Sequence, residues 1–175
     1  MIKNKIIFGL LAFFCLCACQ TNNLNFNAVS MKITSPAFSN NETFPAKYGC
    51  SGEGVNPPLE ISDVPAGAVS LVLISDDPDA PSGDFVHWLV WNIDPATTQI
   101  AENSVPVGAI QGSTSMGEPG YVAPCPPSGT HHYHFKIYAL DTKLDLPTSA
   151  NKAKVLSAME GHVLAQGEII GLYSR

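Results

Sequence analysis

The sequence predicts an all-β protein, either a sandwich or a barrel, with one short helix near the C-terminus. Fourteen glycines and fourteen prolines punctuate the 175 residues, which favours short strands joined by turns over long helices. Two runs of β-branched and aliphatic residues, 69–74 and 86–93, have the composition of buried central strands. No internal repeat divides the chain, so residues 31–175 are expected to form one domain with its own core.

The first 30 residues are predicted to lie outside this domain. Lys3 and Lys5 precede an uncharged apolar run that is too short for a membrane span and is typical of a signal peptide, here residues 1–18. The run ends in Leu-Cys-Ala-Cys, which resembles the lipobox of bacterial lipoproteins, so Cys19 is the expected lipidated N-terminus. A plain signal peptide is the alternative. Residues 19–30 then comprise the lipidated cysteine and a polar, asparagine-rich tether.

Charge and sorting signals indicate where the protein works. The formal net charge is −6, and it becomes more negative once the leader with Lys3 and Lys5 is removed. Such an acidic chain is unsuited to nucleic acid or to polybasic adhesion on anionic lipid, so membrane contact is expected only through the anchor at Cys19. Gln20 after the cysteine resembles outer-membrane sorting signals. We therefore expect a protein of the bacterial cell envelope, on the periplasmic side of the outer membrane if the host is Gram-negative.

The remaining elements are short and separated by turns. Further strands are expected at residues 31–35, 43–48, 59–62, 131–141 and 166–173. Residues 94–121 form a long turn-rich passage, and loops of that length inside a domain are usually functional or covering. A helix is expected from about residue 150 to 164, with Thr148 or Ser149 as its N-cap, because apolar residues recur there at helical spacing.

A stiff acidic loop follows the first buried run and is the first candidate site. Asp76, Asp77 and Asp79 are predicted to lie on a turn between two core strands. Pro78 and Pro81 fix the backbone of this turn and remove two backbone N–H donors. Acidic and proline residues are also ordinary turn formers, so the loop alone does not define a site. Its position beside a strand histidine makes it a candidate.

Histidines on two strands complete the candidate site. His87 lies in an otherwise apolar run, where a buried imidazole needs a hydrogen-bond partner. Alternation along the strand at 131–141 places His131 and Tyr133 on the buried face. His132 and His134 then face solvent.

Four motifs in this order carry a wider resemblance. They are Asp-Pro-Asp-Ala-Pro at 77–81, Val-His-Trp-Leu-Val-Trp-Asn at 86–92, Pro-Cys-Pro-Pro-Ser-Gly at 124–129 and His-His-Tyr-His-Phe at 131–135. Together they resemble the phosphatidylethanolamine-binding protein family, in its bacterial branch of Raf-kinase-inhibitor-like proteins. The resemblance implies a sandwich of antiparallel β-sheets. It also implies a pocket lined by Asp77, His87, Pro127, His131 and Tyr133, with Asp79 supporting the loop.

One position departs from the family pattern and bears on the pocket. His132 stands where the family usually has arginine, so an imidazole replaces a permanent positive charge. The resemblance implies non-catalytic binding of a small anion, namely phosphate, a phospholipid or other phospho-headgroup, or a carboxylate, and no cofactor. Imidazole N–H groups suit oxygen atoms of such ligands.

Two other functions remain open at this stage. One is a modulator or inhibitor of another protein, acting through its surface. The other is a metal-dependent or nucleophilic hydrolase, because Asp77 with His87 and His131 also resembles a zinc ligand set. No Gly-x-Ser-x-Gly elbow is present, and no metal ligand is assigned. The oligomeric state, including a homodimer, is also open.

A disulfide is predicted between Cys50 and Cys125. Once the leader is removed, these are the cysteines that remain besides Cys19. Both lie in loops rich in proline and glycine, and the compartment outside the inner membrane is oxidising. Two buried free thiols are the alternative.

Overall fold

The computed structural model describes residues 29–175, so the predicted signal peptide, Cys19 and nearly all of the tether lie outside the described residues. Within this part of the chain, the strands are β1 (Val29–Ser30), β2 (Lys32–Thr34), β3 (Glu42–Thr43), β4 (Leu59–Ser62), β5 (Ser70–Asp77), β6 (Phe85–Ile93), β7 (Gln99–Ile100), β8 (Ile110–Gln111), β9 (Thr130–Leu140) and β10 (Val163–Ser174). A 3-10 turn spans Ala46–Tyr48, and helix α1 spans Lys152–Met159.

The strands form two sheets that pack face to face. The larger sheet has seven strands in the order β1-β10-β9-β5-β6-β8, with β3 also pairing with β10, and the smaller sheet has the order β2-β4-β7. The prediction of a β-sandwich with one short helix near the C-terminus is confirmed. Its pairings are antiparallel except at one edge, where the short strands β1 and β3 each run parallel to β10.

Core residues lie on both faces of the large sheet. On one face, Leu71 and Leu73 of β5 pack in a cluster with residues of the small sheet. On the opposite face, Val72 and Ile74 pack beneath Val155 of α1. Strand β5 is therefore buried along its whole length, whereas the apolar run predicted a buried strand only at 69–74.

Helix α1 is shorter than predicted. It begins after Asn151, whose side chain accepts a hydrogen bond from the Lys154 backbone N–H at 3.1 Å, so Asn151 is the N-cap and neither Thr148 nor Ser149 is. The predicted helix ran too far because β10 already begins at Val163 and takes the last apolar residues of the stripe into the sheet. Within residues 29–175, no helix has the length and hydropathy of a membrane span.

The predicted strand at residues 43–48 is wrong. Strand β3 ends at Thr43, and the chain then enters the 3-10 turn, in which the Tyr48 N–H donates to the Pro45 carbonyl at 3.0 Å. Proline has no N–H group and therefore cannot continue a strand ladder. The aromatic side chains of Phe44 and Tyr48 are nevertheless buried in the core.

Asp76 and Asp77 are the last two residues of β5, and the prediction that they lie on a turn is wrong. Both are buried, with 0% and 3% of their surface exposed. Lys136 Nζ lies 2.8 and 3.0 Å from the two Asp76 carboxylate oxygens, and Lys152 Nζ lies 2.5 Å from Oδ2. Asp77 is paired with His131 instead. The strand continues through both acids because each buried carboxylate has a partner.

The predicted disulfide between Cys50 and Cys125 is present. It joins the loop after the 3-10 turn to the proline-rich segment that precedes β9. Backbone contact supports the link, since the Cys50 N–H donates to the Pro124 carbonyl at 2.9 Å. The segment before β9 is therefore fixed at two adjacent residues.

Candidate ligand-binding pocket

A cavity of about 290 Å³ lies where the end of β5, the start of β6 and the start of β9 meet. Its polar wall consists of Asp77, His87, His131 and Tyr133. The remaining lining residues, mostly apolar, are Ala80, Pro81, Ser82, Phe85, Met116, Val122, Ala123, Cys125, Pro126 and Pro127. The five residues predicted to line the pocket thus line one cavity, and Asp79, predicted to support the loop, lies outside it. Its volume is at the lower end of the range for ligand pockets and suits a ligand of headgroup size.

Asp77 is held in the cavity wall from two sides. His131 Nδ1 lies 2.7 Å from Asp77 Oδ2, and the Asp79 backbone N–H donates to Oδ1 at 2.9 Å. Because a carboxylate only accepts hydrogen bonds, the proton of the first contact is on His131 Nδ1. His131 Nε2 is therefore the ring nitrogen left for a ligand.

His87 is fixed by the backbone of Val122. The Val122 N–H donates to the His87 carbonyl at 2.8 Å, and His87 Nδ1–H donates to the Val122 carbonyl at 2.7 Å. Burial lowers the pKa of His87, although the Val122 carbonyl and the Asp77 charge act in the opposite direction. The ring is therefore neutral near pH 7, with Nδ1 protonated and Nε2 an acceptor.

A β-bulge sets the position of His87. Ser75 of β5 pairs with Trp88 of β6, whereas Asp76 pairs with Val86, so His87 is an extra residue in β6. Bulges change the direction of a side chain and are frequent beside functional sites. The irregularity explains how a histidine within a doubly covered strand comes to line a cavity.

Tyr133 contributes a buried hydroxyl that makes no close hydrogen bond among the described residues, with the Asp77 carboxylate nearby. Its ring meets His87 edge-on at a centroid distance of 5.1 Å and stacks on His131 at 6.4 Å. Burial, followed by the nearby charge of Asp77, raises the pKa of Tyr133, so the hydroxyl carries its proton. A buried hydroxyl without a partner costs about 1–3 kcal/mol. The cavity thus holds a donor that a ligand oxygen would satisfy.

Asp79 braces the pocket from outside the cavity. Its Oδ2 accepts from the His132 backbone N–H at 2.9 Å and lies 2.7 Å from His132 Nδ1. The hydrogen bond from the His132 ring is the main cause of a lowered pKa at Asp79. His132 is exposed, as strand alternation predicted, but its contact with Asp79 was not predicted. The histidine that replaces the family arginine is therefore tied to the loop that holds Asp77.

Pro127 lies at the exposed rim of the cavity, on the segment that the disulfide fixes. Phe85, Met116 and Val122 also line the cavity and were not predicted. Val122 acts through its backbone, which leaves no signal in the sequence. Met116 lies in the long passage after β6, where no periodicity marks it, and Phe85 directly precedes the apolar run at 86–93.

Among residues 29–175, no three His, Cys, Asp or Glu side chains are grouped so that they could hold a metal ion. Asp77, His87 and His131 therefore do not form such a group.

A β-sandwich with a small pocket of imidazole, carboxylate and phenol groups at the ends of its central strands defines a class of binding protein. Comparison with known families agrees, since the family described as phosphatidylethanolamine-binding protein matches residues 34–174. The chain belongs to this family.

Relatives match over nearly the whole described chain. The UPF0098 protein of Pyrococcus horikoshii is 49% identical over 155 residues, which cover 84% of this chain and 78% of that protein. The UPF0098 protein of Methanothermobacter thermautotrophicus is 49% identical over 150 residues, which cover 83% and 99%. A crystal structure of a phosphatidylethanolamine-binding protein homologue from Chlamydia trachomatis superposes with a TM-score of 0.81 at 44% identity, covering 83% of this chain and 98% of that one. The crystal structure of YbcL from E. coli superposes with a TM-score of 0.78 at 30% identity, covering 84% of this chain and 99% of that one.

Proposed function

We propose that this protein binds a small anion, without turning it over, in the cavity between Asp77, His87, His131 and Tyr133. The observation that carries the proposal is the Tyr133 hydroxyl, a buried, protonated donor that has no partner among residues 29–175 and lines the cavity. Buried polar groups are nearly always hydrogen-bonded. An oxygen atom of phosphate, a phospho-headgroup or a carboxylate would supply the missing acceptor.

His131 supplies the second donor. Its Nδ1–H bonds to Asp77, so the protonated ring has Nε2–H left for the anion. The Asp77 carboxylate, bonded to Nδ1, holds the ring with Nε2 turned away from the carboxylate. The imidazole then lies between an anion on Nε2 and the carboxylate on Nδ1.

The proposal includes no catalytic step. Covalent catalysis needs a nucleophile hydrogen-bonded to a base. Of the lining residues that could supply a nucleophile, Cys125 is held in the disulfide. Ser82 lies on the exposed rim and makes no hydrogen bond to His87 or His131 in the described structure.

Tyr133→Phe tests this proposal because it removes only the hydroxyl. Titration calorimetry with inorganic phosphate, phosphoethanolamine and acetate should show binding to the unchanged protein and a loss of about tenfold in the variant. Stability should stay equal or rise, since the variant removes an unpaired buried group. Tyr138→Phe is the matched control on the opposite face of β9 and should bind normally. Undiminished binding by Tyr133→Phe would contradict the proposal.

We also propose that the protein is lipid-anchored at Cys19 in the bacterial cell envelope. The Leu-Cys-Ala-Cys sequence at 16–19 and Gln20 support this placement, and the Cys50–Cys125 disulfide fits an oxidising compartment. Labelling cells with a palmitate analogue should mark the protein, and Cys19→Ser should abolish the label. A labelled Cys19→Ser protein would contradict the anchor.

A further inference from the structure

We propose that the pocket selects an anion that carries a hydrogen-bond donor of its own: a protonated phosphate or phosphomonoester whose P–OH group donates to Nε2 of His87. The inference rests on the proposed anion binding and adds the chemical class of the ligand. It follows from the hydrogen-bonding roles of the three polar rings in the cavity wall.

Neutral His87 presents an acceptor to the ligand. Its Nδ1–H is committed to the Val122 carbonyl, which only accepts, so Nε2 carries a lone pair. Nε2 makes no hydrogen bond within residues 29–175 and is not sealed from solvent, and its ring lines the cavity. Burial lowers the pKa of His87, which keeps the ring in this neutral form near pH 7.

The other two rings present donors. Tyr133 has its unpartnered O–H, and His131 has Nε2–H when the ring is protonated against Asp77. A ligand that satisfies all three rings must offer acceptor oxygens together with one donor hydrogen. A monoprotonated phosphate group has both. Sulfate, a phosphodiester group and a carboxylate have acceptors only and would place an oxygen lone pair against that of His87.

The charges around the pocket favour a monoanion over a dianion. The ionisable groups that act on the two imidazoles are Asp76, Asp77, Asp79, Asp84 and Tyr133. Asp76 is paired with two lysines, and Asp77 with His131. These pairings leave the cavity wall without a surplus of positive charge that would favour a second negative charge on the ligand. A phosphomonoester is about half monoanion near its second pKa of about 6.

Titration calorimetry of the purified chain at about pH 6.5 tests the inference with four probes: methyl phosphate, dimethyl phosphate, sulfate and glycerophosphoethanolamine. Methyl phosphate should bind at least about tenfold more tightly than dimethyl phosphate and sulfate, because these leave the His87 acceptor unpaired. Glycerophosphoethanolamine is a phosphodiester with an ammonium group, so it offers an N–H donor but no P–OH donor. It therefore tests which of the two donors the pocket selects. It should bind as weakly as dimethyl phosphate.

A matched pair of variants assigns the selectivity to His87. His87→Asn keeps an amide N–H within reach of the Val122 carbonyl and removes Nε2. The preference for methyl phosphate over sulfate should fall below about twofold in this variant, because methyl phosphate loses its acceptor and sulfate no longer meets the lone pair of Nε2. His162 also bonds through Nδ1, to Asp141 at 2.7 Å, but lies on the surface away from the cavity. His162→Asn should keep the full preference.

Equal binding of methyl and dimethyl phosphate would overturn the inference and leave anion binding in place. Binding of glycerophosphoethanolamine as tight as that of methyl phosphate would assign the donor to an ammonium group and would also overturn it. Failure of every probe to bind would overturn the proposed function as well. When methyl phosphate is preferred, a short-chain phosphatidic acid identifies the source: tighter binding than methyl phosphate supports a lipid monoester, and equal binding supports a soluble one.

Discussion

His87 and Val122 hold each other through two hydrogen bonds, one from the Val122 N–H to the His87 carbonyl at 2.8 Å and one from His87 Nδ1–H to the Val122 carbonyl at 2.7 Å. The first bond fastens the segment before β9 to strand β6. The second fixes which nitrogen of the ring is protonated. One residue pair thus positions a wall of the pocket and sets the hydrogen-bonding role of its histidine.

Loss of this pair should destabilise the protein. His87→Ala leaves the Val122 carbonyl without its side-chain partner and opens a hole beside Tyr133, so the free energy of unfolding should fall by about 2–3 kcal/mol. His87→Asn keeps an N–H for the Val122 carbonyl, so its free energy of unfolding should fall by clearly less. Urea unfolding followed by tryptophan fluorescence measures both variants. Equal losses would show that the hydrogen bond to Val122 does not contribute.

Acid should destabilise the folded protein through His87. Burial lowers its pKa in the folded state, so below the unfolded value of about 6.5 the unfolded chain binds a proton more readily than the folded one. This contribution to stability is present above about pH 6.5 and is lost as the pH falls. The stability difference between the unchanged protein and His87→Asn should therefore shrink from about pH 7.5 to about pH 5.5. A difference that stays constant over this range would contradict a lowered pKa.

The disulfide should stabilise both the fold and the pocket wall. Cys50 and Cys125 are separated by 75 residues, and closing such a loop stabilises by up to about 4 kcal/mol on the chain-entropy model. Replacing both cysteines by alanine should lower the unfolding free energy accordingly and weaken phosphate binding, because Cys125 lines the cavity. Thiol titration of denatured, unreduced protein that lacks Cys19 should find no free thiol. Two free thiols would reject the bridge.

Strand periodicity was sufficient to sort the histidines of β9. One face of this strand is buried in the core, so alternation placed His131 and Tyr133 inside and His132 outside without knowledge of the neighbouring strands. Apolar residues on both alternating faces likewise identified β6 as doubly covered, and the aliphatic run at 69–74 identified β5 as a core strand.

Features that depend on pairing register could not be predicted in this way. The bulge at His87 arises from the offset between β5 and β6, and the Asp76 site needs Lys136 from β9 and Lys152 from α1. Neither the bulge nor the ion pairs of Asp76 can be inferred from local composition. The end of α1 was misplaced for a related reason, since Val163 and Leu164 of β10 lie at helical spacing from Met159 of α1 and so fit both periods.

The most direct test of the central claim is calorimetry with inorganic phosphate on two neighbouring variants, His131→Asn and His132→Asn. Asparagine at 131 keeps an amide N–H for Asp77 and removes Nε2, so the fold should persist while phosphate affinity falls at least about tenfold. Asparagine at 132 keeps an N–H for Asp79 on the solvent side of the strand and should leave affinity within about twofold. Equal losses in the two variants would contradict the placement of the ligand between His87, His131 and Tyr133.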